Sequence, residues 1–303
     1  MTRAYGVDLL CVRPSVLRRW TLLSGNGKAR PLFFGGAVEN HFEQAVRRSL
    51  DMMRENIGEE LTVDDMARAA IFSKFHFTRV FQRVTGVSPG RFLSAMRLQR
   101  AKDLLLTTSM NVADISVHVG YNSVGTFSTR FTRSVGLPPT EYRRSRGVSN
   151  LVELNVPGER AAASDGVVSG TLSVRPSADL DVAFIGLFPG RVPEGKPVRC
   201  TIVRGPGRFI IDKVPPGDWF VLCQGVPGRV GDMHSVDESG APVPLVASVG
   251  PLRMDPHTEA VVHVRLRPAR VFDPPLLLAL PDRRTAMVST HSRLHAGVLR
   301  DAA

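Results

Sequence analysis

The stretch Thr62-Val-Asp-Asp-Met-Ala-Arg-Ala-Ala-Ile-Phe-Ser-Lys-Phe-His-Phe-Thr-Arg-Val-Phe-Gln-Arg-Val-Thr-Gly86 decides the fold, because its plan returns about fifty residues later. The second copy is Asn111-Val-Ala-Asp-Ile-Ser-Val-His-Val-Gly-Tyr-Asn-Ser-Val-Gly-Thr-Phe-Ser-Thr-Arg-Phe-Thr-Arg-Ser-Val-Gly136. In each copy an N-cap residue, Thr62 or Asn111, opens a short helix. A tight turn follows, and Ser73 or Ser123 stands where it can cap a second helix. Gly86 or Gly136 closes that helix in the position that favours a left-handed backbone. Phe77 and Phe81, like Phe127 and Phe131, are four residues apart, so each pair shares one helix face and docks on the first helix. Val80 and Val84 widen that stripe. One such hairpin is an ordinary amphipathic pair. Two copies form an internal repeat with a common purpose.

Working outward, Ser88 and Pro89 open a long helix between the copies, with Pro89 at the first helical position. Leu93, Met96, Arg97, Arg100 and Leu104 fall at helical spacing along it. A rigid helix there would hold two reading helices roughly 34 Å apart, the distance between successive major grooves of DNA. Charge agrees with this. Residues 45–146 hold sixteen Lys/Arg against nine Asp/Glu, a net of +7, whereas residues 147–303 net only +1 and residues 1–44 net +3. A basic segment concentrates polyanions, of which DNA is the commonest.

Residues 1–40 show no period and read as a loosely ordered arm. Beyond Gly147 prolines and glycines multiply, and apolar residues come in short alternating runs over 167–174, 181–188, 198–203, 208–212, 218–223, 243–249 and 259–266. About seven strands between Pro/Gly turns suggest a β-sandwich. The expected organisation is multidomain α and β. It comprises an arm (1–40), an all-α double helix-turn-helix domain (41–146), a linker (147–166) and an all-β sandwich-like domain with a poorly ordered tail (167–303).

These residues resemble the AraC/XylS family of bacterial transcription regulators. The resemblance covers Phe42 to about Arg144. It rests on Ala67–Gly86, Ser88-Pro89, Arg97-Leu98, Ala101, Ile115, Gly120-Tyr121, Ser123, Phe127, Arg130-Phe131, Gly136 and Pro138-Pro139-Thr140-Glu141-Tyr142-Arg143-Arg144. It implies that base and phosphate contacts come from the exposed residues of each second helix. In the first unit these are Ser73, Lys74, Phe75, His76, Thr78, Arg79 and Arg83. In the second they are Ser123, Val124, Gly125, Thr126, Ser128, Thr129, Arg130 and Arg133. Arg79 suits bidentate pairing with guanine, and His76 suits the surface or a phosphate. The chain departs from the family where Val124 and Gly125 replace long polar side chains and Thr129 replaces a common Arg. The second unit is therefore expected to lean on phosphate contacts and DNA shape, with a structural role open for Arg130. Domain order differs too, since many members carry a sensor ahead of the DNA-binding part.

Arg208–Cys223, with its Pro215-Pro216-Gly217 corner, resembles transthyretin-like and carboxypeptidase-regulatory-like β-sandwiches. There Trp219, Val221 and Cys223 would point one way and Phe220 and Leu222 the other. The three cysteines, Cys11, Cys200 and Cys223, form no Cys-x-x-Cys pair. Reduced buried thiols are expected, with Cys200 and Cys223 as candidate sheet neighbours. His234, His257 and His263 with Asp232, Asp237 and Asp255 have no spacing that makes a metal site. Gly205-Pro206-Gly207 is no phosphate loop, and no Gly-x-Ser-x-Gly elbow occurs. No catalytic residue, cofactor or metal is expected. Leu276–Leu280 is too short to span a bilayer, and Asp8, Arg13, Arg18 and Arg19 interrupt any secretory core. A cytoplasmic, nucleoid-associated protein is expected, not a membrane protein or an enzyme.

The reading is a sequence-specific regulator of transcription on double-stranded DNA. RNA polymerase is a candidate partner, as is a small-molecule or protein effector at the C-terminal domain. Two alternatives stay open. One is a low-specificity architectural DNA-binding protein. The other is a β-sandwich ligand-binding or catalytic module with an attached DNA-binding regulator.

Overall fold

Among the described residues seven helices form where the apolar period of 3.6 runs, and they end where glycine, proline or a cap interrupts it. A computed structural model describes residues 35–147, 166–175, 180–192, 194–228 and 243–279. The N-terminal 34 residues, Cys11 and the basic Arg18-Arg19 pair among them, lie outside the described residues. So do residues 148–165 of the linker, Asp232, His234, Asp237 and the tail from 280.

The helices are α1 (Gly35–Glu55), α2 (Val63–Ala70), α3 (Lys74–Thr85), α4 (Pro89–Thr107), α5 (Val112–His118), α6 (Val124–Val135) and α7 (Pro139–Arg144). Helix α1 starts at Gly35, inside the stretch 1–40 expected to be a loosely ordered arm. No breaker follows Gly36, so the helix propagates backward from its packed turns. Those turns bury Ala45, Val46, Ser49, Leu50 and Met53.

Two apolar cores result. The first joins α1, α2, α3 and the start of α4 around Phe77, Phe81 and Phe92. The second joins the rest of α4 to α5, α6 and α7 around Phe127, Phe131 and Tyr142. Helix α4 serves both. Phe92 and Leu93 enter the first core, whereas Leu98, Ala101, Leu104 and Leu105 enter the second. Its apolar residues wind around the axis because its two halves have different neighbours. Met53 is fully buried, and Met52 and Met96 pack against the first core.

The β half holds eight strands among the described residues. They are β1 (Gly166–Ser173), β2 (Leu180–Phe188), β3 (Arg199–Arg204), β4 (Gly207–Val214), β5 (Gly217–Pro227), β6 (Leu245–Met254), β7 (Glu259–Arg265) and the short β8 (Arg267–Pro268). One sheet has the order β4-β1-β7, with β1 antiparallel to β4 and parallel to β7. The other has the order β3-β2-β5-β6-β8 and is antiparallel throughout. The two enclose one core, to which the first sheet gives Val168, Phe209, Ile211 and Val264 and the second gives Ile185, Leu187, Val221 and Cys223. Strand alternation sends Trp219, Val221 and Cys223 to this core and Phe220 and Leu222 to the opposite face. The Trp219 indole N–H closes the Pro-Pro-Gly corner by donating to the Pro215 carbonyl at 2.9 Å. Gly170 is required in β1 because a Cβ would lie 2.1 Å from the Val262 carbonyl oxygen.

The cysteines are not sheet neighbours. Cys200 pairs with Gly186 on one edge of β2, Cys223 pairs with Ile185 on the other, and they enter opposite cores. Both are free and buried. Burial pushes the Cys200 thiol up to about 11 and the Cys223 thiol up to about 12, so both stay protonated and poorly nucleophilic near neutrality.

From Phe42 onward the helices and sheets cluster as one compact unit. Two segments of the β half lie on the helices. In the β2–β3 connection, Val192 enters the first helical core. Nearby, the Gly195 N–H donates to the Ser134 carbonyl at 3.2 Å. After β8 the chain forms a strap. Phe272 enters the first helical core and Leu277 and Ala279 the second. Lys102 on α4 donates to the carbonyls of Leu276 and Leu278 at 3.2 and 3.3 Å. Residues 276–279 of that run thus have an interior role, in which the strap joins both helical units.

Candidate nucleic-acid interface

Each unit begins with the cap that its sequence specifies. The Asp65 N–H donates to Thr62 Oγ1 at 3.2 Å and the Thr62 N–H donates back to Asp65 Oδ2 at 2.9 Å, a complete capping box. The hydrogen bond from the Thr62 hydroxyl, followed by that from its backbone N–H, holds the Asp65 carboxyl below the usual carboxylate range. In the second unit the Asp114 N–H donates to Asn111 Oδ1 at 2.8 Å.

The turns match bond for bond. In the first, Ile71 and Phe72 donate to the carbonyls of Arg68 and Ala67. In the second, Gly120 and Tyr121 donate to those of Val117 and Ser116. The pivot is left-handed in both, with φ 60° at Ile71 and 81° at Gly120. Asn122 is the one additional residue of the second turn, which explains why the repeat offset changes from 49 at the caps to 50 at Ser73 and Ser123. Ser123 caps α6 by accepting from the Thr126 N–H at 3.4 Å. Ser73 and Ser88 make no side-chain cap bond, contrary to the expectation from their positions. Their extended backbones already turn the chain into the helix, and the Ser73 carbonyl accepts from Phe77 at 2.8 Å.

The second helices are buried on one side and open on the other. Phe77, Phe81, Phe127 and Phe131 are fully buried. The paired rings lie 5.4 Å apart in α3 and 5.6 Å apart in α6. On the open side of α3, Ser73, Lys74, Phe75, His76, Arg79 and Arg83 are exposed and Thr78 is half-buried. On the open side of α6, Ser123, Val124, Gly125, Thr126, Thr129, Arg130 and Arg133 are exposed and Ser128 is half-buried. Phe75 is 83% exposed, an aromatic ring with no packing role of its own.

Several of these residues already have partners. Lys74 pairs with Asp64 at 2.7 Å, and the Thr78 hydroxyl donates to the Lys74 carbonyl. His76 stacks edge-on against Phe72 with centroids 4.6 Å apart and lies near Phe42, so it belongs to an aromatic patch beside the turn. Arg130 donates to Ser94 Oγ on α4 at 3.1 Å, which ties α6 to the long helix between the units.

Other arginines hold the units in place, and their roles were not read from the sequence. Arg48 on α1 donates to the Ala70 carbonyl at 3.2 Å, at the end of α2. Arg97 on α4 donates to the carbonyls of Ile57 (3.0 Å) and Glu59, and its guanidinium lies over Gly120. Burial lowers its pKa, although a guanidinium stays charged at any ordinary pH. Arg48 and Arg97 stand 49 residues apart, the offset of Thr62 and Asn111, so the repeat already points to them. Arg143 on α7 donates to the Leu105 and Met110 carbonyls at 3.0 and 2.6 Å, satisfying the end of α4 and the chain that follows.

Among the described residues no group of three or more His, Cys, Asp or Glu is placed to hold a metal ion. His263 shares a hydrogen bond with Thr171 instead. Among the same residues no helix is long and apolar enough to cross a membrane.

Comparison with known proteins centres on this region. A helix-turn-helix domain family matches residues 66–145. The regulatory protein SoxS of Salmonella typhimurium is 32% identical over 101 residues, covering 33% of this chain and 94% of the relative. The lactose operon transcription activator of Staphylococcus xylosus is 30% identical over 105 residues, covering 35% of this chain. The match spans only 38% of that relative. A solved AraC-type transcriptional regulator of Chromobacterium violaceum is 28% identical, with 38% of this chain and 96% of that chain covered and a TM-score of 0.33. A small regulator aligned along nearly its whole length, on a segment that folds as two capped, matching helix-turn-helix units, establishes that this chain belongs to the AraC/XylS family of helix-turn-helix regulators.

Proposed function

We propose that the protein is a sequence-specific transcription regulator that reads double-stranded DNA by laying α3 and α6 in successive major grooves. The observation that carries this reading is the shared geometry of the second helices. Each buries its aromatic face and offers its first two turns to solvent, within a segment of net charge +7. Helix α3 is the main reader. Arg79 is placed for bidentate contact with guanine, and Phe75 offers an apolar surface for a thymine methyl group. Helix α6 presents Val124, Gly125, Thr126 and Thr129, and it positions more than it reads. Ser123, Ser128, Arg130 and Arg133 supply phosphate contacts. Work on promoters would place the chain in the cytoplasm at the nucleoid, with RNA polymerase as a partner and the β half as the module that receives an effector.

Selection of preferred sites from a random DNA pool tests this. The expected outcome is a motif bound at least about a thousandfold more tightly than random DNA. Equal binding of all sequences, with a steep salt dependence, would instead mark an architectural protein.

A further inference from the structure

An effector needs a site, and the helices and the strap border an open cleft of roughly 540 Å³. Its walls come from the end of α1, from α4, from the end of α5 at His118 and from strap residues 270–275. Phe92, Met96 and Val271 supply an apolar lining. Arg54, Arg100 and Arg270, three basic residues from three separate elements, also line it.

The charges in the cleft do not cancel. Asp273 is already engaged, accepting from both Arg267 Nη1 and Nη2 at 2.6 and 2.7 Å and from the Arg270 N–H at 2.7 Å. Asp103 accepts from Gln99 at 3.1 Å and offsets one positive charge. Arg54 bonds Asp51 on its own helix at 3.0 Å. Arg100 interacts electrostatically with Asp103 and Arg270 with Asp273, and neither guanidinium makes a hydrogen bond among the described residues. The cleft therefore has an apolar wall, two guanidiniums with free donor capacity and a surplus of positive charge. Planar guanidinium forks match carboxylates.

We infer that this cleft binds a small organic anion, a carboxylate carried on an apolar body, held by Arg100 and Arg270 with its body against Phe92, Met96 and Val271. The inference rests on the regulator reading and deepens it, placing the effector site at the seam between strap and helices rather than within the β-sheets.

The test is calorimetric titration of the full chain with 3-phenylpropionate and, in parallel, with its uncharged amide. No DNA is present, so the result is independent of site selection. Saturable binding of the carboxylate at millimolar strength or better is expected, with the amide about tenfold weaker. Arg100→Gln and Arg270→Gln, on separate elements, should each weaken carboxylate binding by a similar factor. Arg208→Gln, on exposed β4, should leave it unchanged. Thermal melts identify any variant that fails to fold, and the other variant then decides. Absence of saturable binding up to about 10 mM, equal binding of acid and amide, or indifference to both substitutions would overturn the inference.

Discussion

The two helix-turn-helix units share a scaffold and differ in what they place on it. Both have a capped first helix, a left-handed pivot bonded in the same way and a second helix anchored by two phenylalanines. The first unit sets Lys74, Phe75, Thr78, Arg79 and Arg83 on its open face. The second sets Val124, Gly125, Thr126, Thr129 and Arg130 there, and Arg130 already donates to the linker helix. The pivots differ as well. Ile71 is β-branched and 77% exposed, a costly residue for a left-handed backbone. Gly120 has no side chain, and the Arg97 guanidinium occupies the space beside it. The interiors match because each core needs the same rings, while the exposed faces differ in charge and size.

The largest expected effect concerns what the units share. Phe77→Ala and Phe127→Ala should each cost about 3–5 kcal/mol of stability, since each removes a fully buried ring. Urea unfolding checks this, and a much smaller cost at one site would break the claim that the scaffolds are equivalent. Next comes what they do not share. Arg79→Ala should relax base preference at one position of the selected DNA motif, by about 1–3 kcal/mol. Thr129→Ala should leave that motif unchanged. Repeated site selection on both variants decides, and an unaltered motif for Arg79→Ala would refute the assignment of that residue.

The pivots should respond with opposite signs. Gly120→Ala should destabilise by about 1–3 kcal/mol, from the left-handed backbone and from a Cβ placed 2.7 Å from the Arg97 guanidinium carbon. Ile71→Gly should stabilise by about 1 kcal/mol, because strain is relieved and little packing is lost. Thermal melts that shift both variants the same way would contradict the account. The smallest effect belongs to Gly125. A Cβ there meets only Ser123 Oγ, at 3.7 Å. Gly125→Ala should therefore stabilise α6 by up to about 1 kcal/mol through helix propensity alone. Loss of DNA affinity in a more stable variant would show that this glycine admits a close approach of the DNA backbone.

Much of this was legible along the chain. The caps at Thr62 and Asn111, the buried ring pairs and the alternation through Trp219–Cys223 follow from period and spacing, and the structure has them where they were read. Local interactions set these features, so a local pattern reports them. The exposed helix faces were legible for the same reason, since burying Phe77 and Phe81 leaves Lys74, Phe75 and Arg79 outside. Where local reading fell short, the physics was still local. Ser73 and Ser88 occupy cap positions but make no side-chain cap bond, because residue type permits a cap without requiring one.

By itself the sequence determined the repeat, the helix ends, the strand runs and which side of each element is apolar, because backbone propensity and amphipathic period act over a few residues. Only the tertiary structure decided which elements share a core. It put Phe272 and Leu277 of the strap into different helical units, moved Cys200 and Cys223 to opposite faces of one sheet and laid Arg97 across both units. Such contacts join residues more than 200 positions apart, as with Arg47, whose guanidinium lies over the Phe272 ring, and no local pattern encodes them. They form because burying the last apolar faces is favourable wherever in the chain those faces come from.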